Sequence, residues 1–556
     1  MAHSPAVVAD GLTFHLPSGA VILDDVSATF PTGHTGLIGP NGSGKTTLLR
    51  LIAGHLTPTA GSLRVSGRVH LVPQRVSTAG SVADLLGITP VRAALRAIEQ
   101  GSVDQAHFDA VGDAWDVEPR AVAELATLGL AVDDRFLDRP ANSLSGGEAT
   151  RIALAGARLT GADITLLDEP TNNLDTRTRR WLHEALTAWD GAVIVVSHDR
   201  DLLERVDAIV DLDPRGAVTF GGPFGEYQEH RATAQAAAER HLREADAEVG
   251  RAKRAAQAEL QRQAQRDRSA RRERARGNVG KGAADFFQNR AEKGAGAKSS
   301  GHAQAVAEAA EARAAADAAA RTPDVIRVDL PDTTVPPAKR VLSLRLGPSP
   351  SPTAPSTVQA QGTLLEVVGP ERIRITGDNG VGKSTLLARL VGSPTAAGPS
   401  ILGDTDVVLP PQVPVGWLAQ TLDELDAFPT AIDAVRGAAP SRSPHDARAL
   451  LARFLIRGDG ADQPPSTMSG GERFRLGLAR TLFAETPPQL LVLDEPTNNL
   501  DLASVEQLVA ALDDYRGALL IVTHDEHLAR GLRITRRWDV TRADGPVHVV
   551  DHPHGG

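Results

Sequence analysis

Cysteine is absent from all 556 residues, which excludes disulfides, thiolate zinc sites and cysteine-ligated iron–sulfur clusters. That absence fits a reducing, cytoplasmic compartment. Aromatic residues are scarce at 3% while apolar residues reach 41%, so the cores must be built from Ala, Val, Leu and Ile. No run of about 18 apolar residues occurs, so no helix of this chain is expected to span a membrane. The stretch MAHSPAVVADGLTF lacks a basic region followed by an apolar one, and no signal peptide is expected. Lysine is also rare, at 7 against 52 arginines in a chain of net charge −10, so each lysine is informative. At roughly 100–200 residues per domain, the length predicts about three to five domains or fewer large ones.

What is present is a repeat. GLIGPNGSGKTTLL at 36–49 returns as ITGDNGVGKSTLL at 375–387, and SLSGGEATRIALAGARL at 143–159 returns as TMSGGERFRLGLARTL at 467–482. ITLLDEPTNNLD at 164–175 returns as LLVLDEPTNNLD at 490–501, and IVVSHD at 194–199 returns as LIVTHD at 520–525. Glu169 lies 29 positions before His198, and Glu495 lies 29 before His524. Two copies of one domain are expected, at 1–225 and 323–556. Apolar runs rich in Val, Ile and Leu (Thr35–Ile38, Ile164–Leu167, Ala192–Val196) read as buried parallel strands, each followed by a loop and a helical pattern. The fold class of each copy is therefore α/β.

Between the copies, at 226–322, the composition changes. Residues 231–321 hold 31 alanines and a net charge of +7, and 251–298 alone carries a net of +9 inside an acidic chain. Glu226 to Arg276 contains no proline and one glycine, Gly250, which favours a long helix. Glycines cluster from Gly277 to Gly301, and Ala303 to Arg321 reads as a second helix stopped by Pro323. The expected form is an antiparallel helical hairpin with an irregular basic tip.

Phosphate chemistry is written into the repeat. Gly39-Pro40-Asn41-Gly42-Ser43-Gly44-Lys45-Thr46-Thr47 follows a strand and opens a helix, and Gly377-Asp378-Asn379-Gly380-Val381-Gly382-Lys383-Ser384-Thr385 matches it. Glycines let backbone N–H groups approach phosphate oxygens, and the helix N-terminus adds partial positive charge. Lys45 and Lys383 reach terminal phosphates as compact ammonium groups, while the Thr46 and Ser384 hydroxyls serve Mg2+. Asp168 and Asp494 end apolar strands where a carboxylate holds the magnesium shell. Glu169 and Glu495 follow, placed to polarise an attacking water. His198 and His524 are candidates to hydrogen-bond the γ-phosphate, and Gln74 and Gln420 to complete the metal and water shell.

With LSGGE at 144–148 and MSGGE at 468–472, the motif order resembles the ATP-binding-cassette ATPases across both halves. That resemblance implies two ATPs sandwiched head to tail. Lys45 would face Ser469, Gly470 and Gly471, and Lys383 would face Ser145, Gly146 and Gly147. Both sites keep Glu and His, so two hydrolytic sites are expected, with ATP closing the halves and hydrolysis releasing them. The family stacks adenine on an aromatic before the first phosphate loop. Here the nearest is Phe14 in LTFHLPSG, and the second half shows no equivalent.

A transporter would need membrane spans here or on a partner. Zinc-type repair cassettes and iron–sulfur ribosome-recycling cassettes need cysteine, and chromosome-maintenance types carry coiled coils of far greater length inside one cassette. What remains is similar to the ABC-F family, soluble tandem cassettes joined by a charged helical linker. That resemblance implies ribosome binding in the ATP-bound form, with the linker directed at rRNA and the P-site tRNA. Arg262, Arg266, Arg268, Arg271, Arg272, Arg274, Arg276 and Lys281 can neutralise RNA phosphates, and Phe286 and Phe287 sit at the expected tip. From Gln74 to Ser145 is 71 positions against 49 from Gln420 to Ser469, so any arm inserted in the first cassette is short or absent. This, and a C-terminus without a basic extension, resembles the antibiotic-resistance members. A housekeeping translation role and a transport-energising subunit remain the alternatives. One chain supplies both halves, so a monomer is expected.

Overall fold

The structure is a computed structural model and describes residues 5–74, 79–130, 132, 135–172, 174–213, 216–275, 303–318, 320, 326, 330–346, 363–392, 407–409, 411–542 and 547–553. The chain divides into one compact unit formed by Met1–Phe224 with Val325–Gly556, and a second, Gly225–Asp324. Phe286, Phe287, Arg276 and Lys281 lie outside the described residues.

The first half opens with antiparallel strands β1 (Pro5–His15) and β2 (Val21–Pro31), followed by β3 (His34–Ile38), β4 (Ala60–Val65) and β5 (Val69–Val72). β6 (Ile164–Asp168), β7 (Ala192–Val196), β8 (Ala208–Asp213) and β9 (Gly216–Gly221) complete it. A six-stranded sheet runs β5-β6-β7-β3-β8-β9, parallel except for the antiparallel β8–β9 pair. β6 and β7 are buried along their whole length, as strands covered on both faces must be. β2-β1-β4 form a separate antiparallel sheet, which the hydrophobic runs of the sequence do not distinguish. The helix Lys45–Ile52 packs between the sheets: Leu48, Leu49 and Ile52 join Leu12, Leu23 and Phe30 on one side and Ile164, Leu166 and Ile194 on the other.

The second half repeats the plan. β10 (Arg340–Leu346), β11 (Thr363–Val368) and β13 (Val407–Leu409) form the antiparallel sheet. β12 (Arg372–Thr376), β14 (Val415–Leu418), β15 (Leu490–Asp494), β16 (Ala518–Val522), β17 (Arg536–Arg542) and β18 (Val547–Pro553) are ordered β14-β15-β16-β12-β17-β18. Between Gln74 and Ser145 the first half carries the helices Thr89–Glu99 and Gln105–Val111, joined by a short turn and packed on each other. They fall within the segment whose extra length the spacing revealed.

The halves differ inside β12. Where the first half has Gly36, whose absent side chain leaves room for Leu203 and Ile209, the second has the buried Arg374. Arg374 Nε donates to the Thr523 carbonyl at 3.0 Å, and Nη1 to Glu526 at 2.7 Å. Two residues earlier, Arg372 donates to the carbonyls of Leu512, Tyr515 and Leu532 at 3.0, 2.9 and 2.9 Å. Those carbonyls close the ends of the helices Leu502–Asp513 and Glu526–Gly531, where a cation also opposes the helix dipole.

In the other unit, the helix Phe224–Ala275 runs antiparallel to helical residues 303–318. Gln235 donates to the Ala320 carbonyl at 2.9 Å, and Arg313 pairs with Asp246 at 2.5 Å. Arg262, Arg266, Arg268 and Arg272 are exposed. No helix among the described residues is long and apolar enough to cross a membrane.

Arg372→Met removes three charge-assisted hydrogen bonds and keeps the aliphatic stem. We expect a loss of about 1.5–3 kcal/mol. In calorimetry the transition of the second lobe should move down by roughly 3–10 °C.

Candidate nucleotide and phosphate site

Each phosphate loop is shaped by positive φ. Gly39, Gly42 and Gly44 have φ of 146°, 83° and 96°, and Gly377, Gly380 and Gly382 have 149°, 78° and 104°. At Gly39 an added Cβ would sit 2.1 Å from the Leu212 carbonyl oxygen, and at Gly377 it would sit 2.3 Å from that of Val540. Those two glycines let the loop turn over the end of the neighbouring strand. Lys45 Nζ donates to the carbonyls of Gly39 and Pro40 at 2.8 and 2.9 Å, and Lys383 Nζ to those of Gly377 and Asp378 at 2.7 and 3.1 Å. Burial lowers the pKa of both ammonium groups, against the pull of nearby Glu169 and Glu495 respectively. Ser43 Oγ is buried without a partner among the described residues, and Val381 at the matching position gives its side chain to the core.

The parallel sheet delivers the acids. Asp168 ends β6 and accepts from Thr46 Oγ1 at 3.2 Å. Burial raises its pKa, and that of Asp494, which ends β15 beside Ser384. Glu169 and Glu495 adopt φ of 49° and 47°, a left-handed conformation that costs a non-glycine residue about 1–3 kcal/mol. Each is held there by an N–H bond to the adjacent strand, to the Val196 and Val522 carbonyls at 2.9 Å. Burial pushes both carboxyls up to about 7. His198 Nε2 lies 3.1 Å from Glu169 Oε1, and His524 Nε2 lies 3.4 Å from Glu495 Oε1. Burial pushes both imidazoles down to about 3, so each stays neutral with one N–H to donate. Among the described residues Glu169 Oε2 is buried without a partner, the open acceptor that a polarised water requires.

A cavity of about 750 Å³ is lined by Lys45, Thr46, Thr47, Gln74, Asp168, Glu169 and His198 from the first half. Ser469, Gly470, Gln420 and Asp494 of the second half line the same cavity. A cavity of about 340 Å³ surrounds Gly380, Gly382, Lys383, Ser384 and Thr385, with Gln420, Glu495 and His524. Ser145, Gly146 and Gly147 line neither cavity, and Gly471 is likewise outside their lining. Ser145 and Ser469 do share one local form: each caps its helix in a reciprocal box with Glu148 or Glu472, so that the SGG amides open the helix. Phe14 belongs to the core and is 8% exposed, while Ile22 forms the cavity wall beside the loop.

Sequence reasoning passed over a set of residues that cross between the halves. Asn41 N donates to Asp501 Oδ2 at 2.9 Å, and Asn379 N to Asp175 Oδ2 at 3.4 Å. Asp175 and Asp501 also cap the helices Thr176–Thr187 and Leu502–Asp513. Arg200 pairs with Glu506 at 2.7 Å. The terminal Asp of both TNNLD repeats was the available signal.

Among the described residues no group of three or more His, Cys, Asp or Glu could hold a metal alone. The donor set at each loop is one hydroxyl and one carboxylate, and Asp494 Oδ1 is buried without a partner among the described residues. Hard oxygens in that small number fit Mg2+, which takes the rest of its shell from phosphates and water.

A duplicated phosphate loop with strand-end carboxylates on parallel sheets defines a tandem nucleotide-binding protein. A family model described as ABC transporter matches residues 23–172 and 361–498. The tylosin resistance ATP-binding protein TlrC of Streptomyces fradiae is 34% identical over 550 residues, covering 91% of this chain and 92% of that protein. ABC transporter F family member 5 of Arabidopsis thaliana is 29% identical, covering 92% of this chain and 72% of that protein. The solved structure of an RNase-L Inhibitor aligns with 97% of this chain and 90% of its own at a TM-score of 0.53 and 19% identity, a likeness of fold alone. The chain belongs to the ATP-binding-cassette family, in its ABC-F branch, and such ATP-binding domains imply ATPase activity.

Gly39→Ala and Gly377→Ala each force a Cβ onto a backbone carbonyl and should raise the dissociation constant of a fluorescent ATP analogue at the altered loop by more than about tenfold. Gly42→Ala, with open space around it, should raise it less. Equal effects at all three positions would contradict the close-approach argument.

Proposed function

We propose that the protein hydrolyses ATP at two composite sites and, closed on ATP, binds the ribosome and protects it from an antibiotic. The observation that carries the composite reading is the larger cavity, where Lys45, Thr46 and Glu169 share one space with Ser469 and Gly470. In this reading Lys45 and Lys383 hold the terminal phosphates, and Thr46 with Asp168, and Ser384 with Asp494, hold Mg2+, completed by Gln74 and Gln420. The metal supplies charge neutralisation on the phosphate oxygens. Glu169 and Glu495 orient the attacking water, and neutral His198 and His524 donate to the γ-phosphate. Residues 1–225 and 323–556 act as the two cassettes, in the cytoplasm and as a monomer.

The ribosomal part of the proposal rests on the membership of the ABC-F branch, on the likeness to a resistance protein and on charge. The linker at 226–322 concentrates positive charge in an acidic chain, and four of its arginines are exposed on the long helix. A cationic helix of this kind can bind rRNA and the P-site tRNA by releasing counterions from their phosphates.

Glu169→Gln with Glu495→Gln should keep ATP binding, block hydrolysis and hold the protein on ribosomes in sedimentation with ATP. No ATP-dependent pelleting would refute the ribosomal assignment. Replacing Arg262, Arg266, Arg268 and Arg272 with Gln should weaken that binding and flatten its dependence on salt, by about 0.7–0.9 in log–log slope for each phosphate no longer neutralised. Expression in a sensitive host should raise the inhibitory concentration of one ribosomal antibiotic class, and the double Gln variant should abolish that protection.

A further inference from the structure

The two halves treat their strand-end histidines differently, and the difference comes from one helix turn. In the first half the residues after Asp175 are Thr176, Arg177, Thr178 and Arg179, with His183 one turn on. Thr176 Oγ1 shares a hydrogen bond of 2.9 Å with His524 Nδ1, the histidine of the other half. Arg179 Nη1 donates to the His524 carbonyl at 3.2 Å. The same guanidinium forms an ion pair with Asp199, its Nε 3.5 Å from Oδ2 without a hydrogen bond among the described residues, and that oxygen accepts from His183 Nε2 at 2.9 Å. Asp199 directly follows His198 and caps the helix Arg200–Leu203 through Oδ1. Asp199 and His183 are almost fully buried, at 6% and 8% side-chain exposure, so the cluster is shielded from water.

The register of the repeat gives the second-half equivalents of Thr176, Arg179 and His183 as Leu502, Val505 and Val509. None of these side chains can hydrogen-bond. Val505 is buried, and Val509 packs against the second-half core. Consistent with this, His198 Nδ1 is buried with no hydrogen-bond partner among the described residues, whereas His524 Nδ1 has Thr176. One histidine is therefore clamped at ring and backbone by the opposite half, and the other is not.

We propose that Thr176 and Arg179 are positioning residues for His524 alone, so that the second-half phosphate site is pre-organised by the first half with no reciprocal arrangement. Arg179 links His524 through Asp199 to the segment carrying His198. The link makes the second-half site responsive to the state of the first. The imidazole's ring orientation and tautomer are set by the bond at the other ring nitrogen, and a donor aimed before the reaction begins avoids reorganisation during it. Removing the clamp should lower turnover at that site without an equal effect on ATP affinity. This inference rests on the reading of two hydrolytic sites given above.

The test isolates each site. Glu169→Gln leaves hydrolysis to the second-half site, and Glu495→Gln leaves it to the first. Into each is placed Thr176→Leu with Arg179→Val, the residues of the second half. With Glu169→Gln the pair should cut kcat by about fivefold or more at a KM for ATP changed less than about twofold. With Glu495→Gln the loss should be several times smaller. Thr176→Ser, which keeps the hydroxyl, should retain kcat. Equal losses in both backgrounds, or none in the first, would overturn the proposal. A second readout needs no hydrolysis: imidazole nitrogen shifts in histidine-labelled protein, assigned with His198→Asn and His524→Asn. The Thr176→Leu change should move the His524 signals and spare those of His198, and unmoved His524 signals would overturn the clamp. If both single-Gln parents fail to hydrolyse ATP, the two-site reading fails, and the nitrogen shifts still judge the clamp.

Discussion

Everything at the phosphate site depends on parallel strands ending together at one edge of the sheet. β3 leads into the first phosphate loop, β7 pairs with it in parallel register, and β6 pairs with β7. A loop that must place amides, a strand-end carboxylate and a histidine within a few ångströms cannot do so from strands whose ends are staggered. In α/β sheets the carboxyl ends of the strands are where ligands bind, because helix N-termini and loop amides converge there. Full burial of β6 and β7 keeps the register firm, since slippage would push each side chain into a space packed around another.

The same rigidity sustains local strain. Glu169 and Glu495 hold φ values that carboxylate side chains seldom adopt, each tied by its N–H to the neighbouring strand. Two separate stretches of the chain arriving at the same strained geometry mark a constraint of the site rather than an accident of one loop. Burial then raises the carboxyl pKa and lowers that of the imidazole beside it, so the pair can share a hydrogen bond without forming a fixed ion pair. A water-polarising group benefits from this, because a carboxylate already committed to a cation has less basicity to offer.

Duplication did not preserve identity in every layer. The phosphate loops, strand-end acids and capping boxes are matched, yet β12 carries the buried Arg374 and the half-buried Arg372 where β3 has glycine and histidine. The helix after Asp175 reaches across to His524, while its counterpart after Asp501 is apolar at the matching positions. The first difference lies within the second half, and the second sits in side chains that span the halves.

The sequence by itself determined the repeat, the α/β class, the phosphate loops and the strand-end acids, because each is a local pattern whose spacing has a direct chemical meaning. It also indicated the helical pair between the halves, since alanine and arginine without proline favour helix over a long span. It left open whether Phe14 faces the core or the nucleotide, because alternation along a strand does not say which face a second sheet covers. Nor could it reveal the antiparallel sheets or the crossing contacts of Asp175, Asp501 and Arg179, and the placing of Ser469 in the cavity of Lys45 was implied only by the family resemblance. The sheets depend on strand pairing within each half, while the crossing contacts join residues hundreds of positions apart that only the packing of the two halves brings together.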